Sequence, residues 1–246
     1  MPAHDFRTPR LFVAADLAAA AEVTLDRGQA NYLFNVLRLK RGDDVLLFNG
    51  RDGEWRARLG EAKRGAAAAI VERLRAQPAA SDLHFLFAPL KHARLDYLVQ
   101  KAVEMGASLI QPVLTRHTQV ARVNLARMRA NAIEASEQCG VLAVPEIAEP
   151  VAFAKIANDD ARLLIFCDER AEVQDPIMAL SAAPAGKPLS VLVGPEGGFS
   201  EDERAALLER ANVVRIALGP RILRADTAAV AALAVVQAVL GDWRNA

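Results

Sequence analysis

Two loops, each set between an apolar strand and a helix, limit what this chain can fold into. Leu189–Val193 reads as a buried strand and ends in Gly194-Pro195-Glu196-Gly197-Gly198. Ser200-Glu201-Asp202-Glu203 follows, with Ser200 at the N-cap of a helix and Glu203 where a capping box requires it. A second strand, over 213–217, leads into Leu218-Gly219-Pro220-Arg221-Ile222-Leu223-Arg224. Asp226 or Thr227 then caps an almost wholly apolar helix over 228–240. Strand, glycine loop and helix, twice over, point to an open α/β sheet whose loops sit at its carboxyl edge, where such sheets bind ligands. If the two strands are neighbours, the loops lie side by side.

The loop chemistry narrows the ligand. Three glycines permit positive φ and let a ligand approach bare backbone. The spacing is neither G-x-G-x-x-G nor G-K-[ST]. Pro195 offers no N–H, and Glu196 places a negative charge where a phosphate would sit. A phosphate is therefore disfavoured, and a neutral or cationic ligand read through backbone groups fits better. The first loop alone leaves a ligand-free turn equally open. The second tips the balance, because a buried helix has no need of Arg221 and Arg224 whereas a site does.

The rest of the second part alternates strand and helix, which gives a mostly parallel sheet. Strands are expected over 83–88, Leu109–Leu114 and 163–166, the last ending in Cys167-Asp168-Glu169. Leu95, Leu98, Val99, Ala102 and Val103 have helical spacing, closed by Gly106. Residues 9–74 read instead as short strands with tight turns, hence a small barrel. Strands are expected over 10–14, 45–48 and 66–71, with a helical turn or two over 30–37. Trp55, Ala57 and Leu59 alternate with Arg56 and Arg58, a half-buried strand with a basic outer face. Ala76-Gln77-Pro78-Ala79-Ala80-Ser81 has linker composition and divides the chain into 1–75 and 76–246.

Composition excludes several classes. With 52% hydrophobic residues among 246 there is ample material for a core. No apolar run reaches the ~18–20 residues of a membrane span. The opening residues lack the apolar segment of a secretory leader, so a cytoplasmic protein with reduced Cys139 and Cys167 is expected. His4, His84, His92 and His117 are scattered without paired cysteines, which argues against a metal site. A net charge of zero argues against a uniformly basic nucleic-acid binder. The stretch up to Arg75 nevertheless carries a small cationic excess, so that part is the one expected to touch nucleic acid.

The two glycine loops resemble those of the SPOUT methyltransferases, and within them the RsmE family, which methylates N3 of a uridine in 16S ribosomal RNA. The resemblance extends over essentially the whole chain. It includes Pro9-Arg10-Leu11-Phe12, Asn31-Tyr32-Leu33 with Val36-Leu37-Arg38, Gln100-Lys101-Ala102-Val103-Glu104-Met105-Gly106 and Glu137-Gln138-Cys139-Gly140. Two positions depart from the family pattern: Asp226 stands where Glu is usual, and Val141 where Arg is usual.

The resemblance implies a PUA-like RNA-binding barrel followed by a SPOUT domain with a C-terminal trefoil knot. It also implies a homodimer, S-adenosylmethionine as methyl donor, and the 16S RNA of the small ribosomal subunit as substrate. The cofactor residues are then Gly194, Glu196, Gly197, Gly198, Leu218, Gly219, Pro220, Ile222, Leu223 and Thr227. Uracil N3 is a poor nucleophile while protonated, and charge builds on the uracil oxygens as the proton leaves. Arginine cannot act as the base, but its fork stabilises that charge. Arg224 is the first choice for this role and Arg10 the second, with Asp226 either a proton acceptor or, more in keeping with its place, a helix cap. Arg10, Arg38, Arg56, Arg58 and Arg116 are candidate RNA contacts. Two other readings stay open: a SPOUT enzyme acting on a ribose 2′-hydroxyl or another base, and a non-catalytic RNA-binding or ribosome-assembly protein. Cofactor binding separates the last from the others, and mapping the methylated atom separates the enzymes.

Overall fold

The computed structural model describes residues 7–61, 66–79, 81–120, 122–156 and 161–245. His4 and the opening residues, Ala80 of the linker and the side chain of His92 lie outside the described set. The chain divides into two units. One runs up to Ala79 and takes in Ser136–Val144; the other holds Ala80–Ala135 and Pro145–Ala246. The second visit to the first unit was not legible in the linker composition.

In the first unit, β1 (Arg10–Phe12), β2 (Glu22–Thr24), β3 (Asp44–Phe48), β4 (Glu54–Leu59) and β5 (Ala67–Arg75) form one sheet in the order β1-β3-β4-β5-β2. The short helix α1 (Arg27–Asn31) precedes a π turn over Tyr32–Val36. Asp26 caps α1 in a reciprocal box with Gln29, which places the helix start three residues before the expected one. The core draws Leu11 from β1, Val23 from β2, Val45 and Leu47 from β3, Ala57 and Leu59 from β4, and Ala68 and Ile70 from β5. Both edge strands feed the same core as the central ones, so the sheet curls around it. Ala57 and Leu59 face inward and Arg58 outward, as their alternation requires.

The second unit contains β6 (Leu83–Phe87), α2 (His92–Glu104), β7 (Leu109–Leu114), α3 (Leu125–Cys139, whose last turn belongs to the first unit), β8 (Glu146–Ile147) and β9 (Val151–Ala152). It continues with α4 (Phe153–Ile156), β10 (Leu163–Cys167), α5 (Pro176–Ser181), β11 (Leu189–Val193), α6 (Glu201–Leu208), β12 (Val213–Ile216) and α7 (Ala225–Val239). The strands are parallel in the order β12-β10-β11-β6-β7-β8, with β9 pairing β7. All five residues of β11 are buried. Successive strand side chains point to opposite faces, so both faces of the sheet are covered there. Leu192, Phe166 and Leu164 pack with Leu207 of α6 and with Phe153 and Ile156 of α4.

The strands before the two glycine loops are not neighbours, which corrects the side-by-side arrangement: β10 lies between them. The helix α7 starts at Ala225, three residues before 228, with Arg224 at its N-cap. Its buried face is Ala225, Ala229, Ala232, Leu233, Val236 and Gln237. Gln237 donates to the carbonyl of Met105 (2.7 Å) and so ties α7 to the end of α2. No described helix is long and apolar enough to cross a membrane, and no described His, Cys, Asp and Glu cluster is able to hold a metal ion.

Candidate active site

Because β10, β11 and β12 run parallel and adjacent, their carboxyl ends open on the same side. The loops leaving them enclose a cavity of about 310 Å³. Of the expected cofactor residues, Gly194, Glu196, Gly197, Gly198, Leu218, Gly219, Ile222 and Leu223 line it. Pro220 and Thr227 do not. Cys167, Asp168 and Glu169 also line it, supplied by the strand that separates the two loops, together with Phe199 and Arg221. Only a polar pair closing an apolar strand could have signalled Asp168 and Glu169.

The first loop is pinned from two sides. A Cβ on Gly194 would lie 2.5 Å from the ring of Phe199, so only glycine fits against that ring. Phe199 itself meets Phe166 edge-on at 5.1 Å and Phe153 at 6.0 Å, which anchors the loop in the core. Gly198 has φ +69° and closes a turn by donating to the carbonyl of Pro195 (2.9 Å). On the other side, His117 Nδ1 lies 3.2 Å from the carbonyl of Gly197 and 3.1 Å from that of Gly198. Both partners are acceptors, so Nδ1 carries the proton. The N–H of Arg116 donates to Glu203 Oε1 (2.7 Å), while Oε2 of the same residue accepts from Ser200 N–H (2.9 Å). The expected capping box of α6 is thus also a dock for the turn after β7. Glu196 forms an ion pair with Arg94 of α2 at 3.0 Å.

Two features fit a ligand held by backbone and apolar groups. The N–H groups of Glu196, Gly197, Phe199 and Leu218 find no hydrogen-bond partner among the described residues. They belong to residues that line the cavity. Ile222, an apolar side chain at its edge, stands 99% exposed.

Asp168 organises the electrostatics. It is 3% exposed and accepts from Arg204 Nη2 (2.9 Å), from Arg215 Nε (2.9 Å) and from the N–H of Arg170 (3.0 Å). Burial works against its ionisation, but these bonds and the fields of the two arginines outweigh it and hold the carboxyl below its usual range. Burial, with the field of Asp168, pushes the neighbouring Cys167 thiol up to about 12, so it stays protonated at neutral pH. Arg224 is exposed and has no ion pair or hydrogen-bonding side-chain partner among the described residues. Asp226 sits in the first turn of α7 and, among the described residues, its side chain accepts only from the N–H of Thr227 (2.9 Å). It is not the cap, because the helix begins before it.

The remaining candidates divide. Arg10 has a structural task, at odds with a role facing nucleic acid. Its side chain is 7% exposed and ion-pairs with Glu54 (2.7 Å), which also receives Arg75. Its guanidinium donates to the carbonyls of Ser136, Glu137 (2.7 Å) and Val141 (3.3 Å) and lies 4.5 Å from the centre of the Phe48 ring. Val141 meets Arg10 through its backbone carbonyl, a contact that does not depend on the side chain at that position. Arg56 pairs with Glu72 (2.5 Å) and Arg58 with Asp44 (3.4 Å), so the basic outer face of β4 is largely compensated. Arg38 is exposed, unpaired among the described residues, and held at φ +59°, which a non-glycine residue rarely adopts. The side chain of Arg116 is exposed and also lacks a partner among the described residues.

Fold and sequence together match known proteins. The chain matches the model of the RNA methyltransferase domain over residues 77–237 and that of the RNA methyltransferase PUA domain over 25–72. The class is therefore an RNA methyltransferase domain preceded by a PUA domain. Ribosomal RNA small subunit methyltransferase E of Rickettsia conorii is 32% identical over 93% of this chain and 94% of its own length. The protein of the same name from Synechocystis is 30% identical over 94% and 78%. The structure of ribosomal RNA small subunit methyltransferase E from Neisseria gonorrhoeae bound to S-adenosyl methionine superposes with a TM-score of 0.86 at 27% identity, covering 96% of this chain and 100% of that one. A methyltransferase from Legionella pneumophila in complex with the same cofactor gives 0.83 at 26% identity, covering 96% and 99%. This chain belongs to the ribosomal RNA small subunit methyltransferase E family.

Proposed function

We propose that this protein methylates N3 of one uridine in the 16S ribosomal RNA of the small ribosomal subunit, with S-adenosylmethionine as donor. The observation that carries this reading is the single cavity at the ends of β10, β11 and β12, walled by both glycine loops and furnished with unpaired backbone N–H groups. The backbone of Gly194, Gly197, Gly198, Leu218 and Gly219 would hold the cofactor's polar edges, and Ile222 and Leu223 its apolar faces. Bound there, the cofactor supplies an electrophilic methyl group on a sulfonium. Arg224 stabilises the charge that develops on the uracil oxygens, because it is free and one residue from the cavity-lining Leu223. Arg38 and Arg116 contact RNA phosphates. The reading includes a C-terminal trefoil knot, a homodimer and a cytoplasmic site of action.

The test uses small subunits from cells lacking the activity, incubated with the protein and labelled S-adenosylmethionine. N3-methyluridine at one site is the expected product, and Arg224→Ala should slow its formation at least tenfold with cofactor affinity unchanged. Label on a ribose or another base would discard the N3 assignment. Absence of both label and cofactor binding would remove the methyltransferase reading.

A further inference from the structure

Three carboxylates line the cavity, and the chain neutralises two of them. Asp168 is held by Arg204 and Arg215, and Glu196 by Arg94. Glu169 has no hydrogen bond or ion pair among the described residues. Its neighbour Arg170 feels its field but bonds to Glu201 at 2.9 Å. Glu169 follows the end of β10, the strand between those that carry the two glycine loops. Its Oε1 would stand 3.8 Å from a Cβ on Gly198, so the carboxylate faces the first loop at its left-handed glycine. Arg221 of the second loop is the one cation among the residues that line the cavity, so the open acid favours positive charge at its own side, by the first loop.

We infer that Glu169 reads the positive charge on the sulfur of the methyl donor, and so makes the site prefer donor over spent product. The inference rests on the cofactor reading above. When the methyl group leaves, the sulfonium becomes a neutral thioether, while the adenosine, ammonium and carboxylate stay as they were. A carboxylate beside the sulfur would therefore lose its partner when the methyl group leaves. Glu169 takes no proton and forms no bond; it is a specificity-determining residue.

Titration calorimetry on the full chain tests this with S-adenosylmethionine, S-adenosylhomocysteine and sinefungin, which carries an ammonium in place of the sulfonium. Glu169→Gln should weaken S-adenosylmethionine and sinefungin about three- to fivefold, the scale of an exposed charge pair. The homocysteine product should stay within about twofold, and added salt should shrink the difference. Glu172→Gln, which removes an exposed acid outside the cavity lining, should change none of the three. Equal weakening of donor and product would overturn the inference, because the carboxylate would then serve a part common to both. No change in any ligand would overturn it as well. Failure of the wild-type chain to bind S-adenosylmethionine would instead bring down the cofactor reading and this inference with it.

Discussion

At the scale of single residues, the glycines of the first loop do different work. Gly198 answers a conformational demand, and Gly194 a demand for space. A methyl group at Gly194 meets the Phe199 ring, which is itself wedged between Phe166 and Phe153 and has nowhere to retreat. Gly194→Ala should therefore cost about 1–3 kcal/mol, the usual range for overpacking, and weaken the cofactor by moving the loop. A Cβ on Gly197 comes no closer than 3.4 Å, to His117 Cβ, so Gly197→Ala should fold normally. Chemical denaturation and calorimetry of the two variants side by side separate these outcomes; equal stability would mean that the ring is not a fixed wall. Arg10 and Arg224 show how far residue identity reaches without geometry. Both are arginines in recognisable motifs, yet one is buried against Glu54 and backbone carbonyls and the other is free at a helix start.

Between elements, Asp168 ties three of them together. It directly follows β10 and draws in Arg204 from α6, which follows the first glycine loop, and Arg215 from β12, which precedes the second. Both loops therefore keep their spacing through one buried carboxylate. Its folded ionisation lies below the ordinary carboxylate value of ~3.9, so the stability it contributes is present above that pH and is lost as the pH falls through the lower folded value. Asp168→Asn leaves two arginines without their anion and should cost about 3 kcal/mol at pH 7. It should also flatten the acid-side fall of unfolding free energy between about pH 5 and 3. Urea melts across that range check both, and an unchanged slope would show that other carboxylates set it. This hub was hidden in the sequence because its members are 36 and 47 residues apart. Local chemistry showed the strand-loop-helix units, the capping box at Ser200 and the parallel sheet. Strand order is fixed by long-range pairing, so β10 between the loops was out of reach, as was the return of Ser136–Val144 to the first unit. The strand β2 is only three residues long and has no run of apolar residues to announce it.

For the whole molecule, charge decides what kind of RNA the protein meets. Binding to bare RNA draws on phosphate contacts, and each neutralised phosphate steepens the salt dependence. The net charge here is zero, and four arginines of the first unit pair with its own acids: Arg56 with Glu72, Arg58 with Asp44, Arg41 with Glu61 and Arg51 with Asp16. The cations that remain open among the described residues include Arg27, Arg38 and Lys40 in the first unit and Arg116, Arg122, Arg221 and Arg224 in the second, set in a chain whose net charge is zero. With little net charge to draw on phosphates, recognition leans on shape, which an assembled particle holds fixed and a protein-free strand leaves variable. Methylation of assembled small subunits should exceed that of protein-free 16S RNA at least tenfold at 0.15 M salt, and Arg38→Ala should lower the rate on the particle and reduce its salt dependence by about one phosphate contact. A homodimer, which light scattering would register as twice the mass of one chain, doubles the number of open arginines without changing this balance, because it doubles the paired acids too. Equal rates on particle and free RNA would mean that the open cations of each chain suffice, and that the compensated face of β4 yields its ion pairs to phosphate.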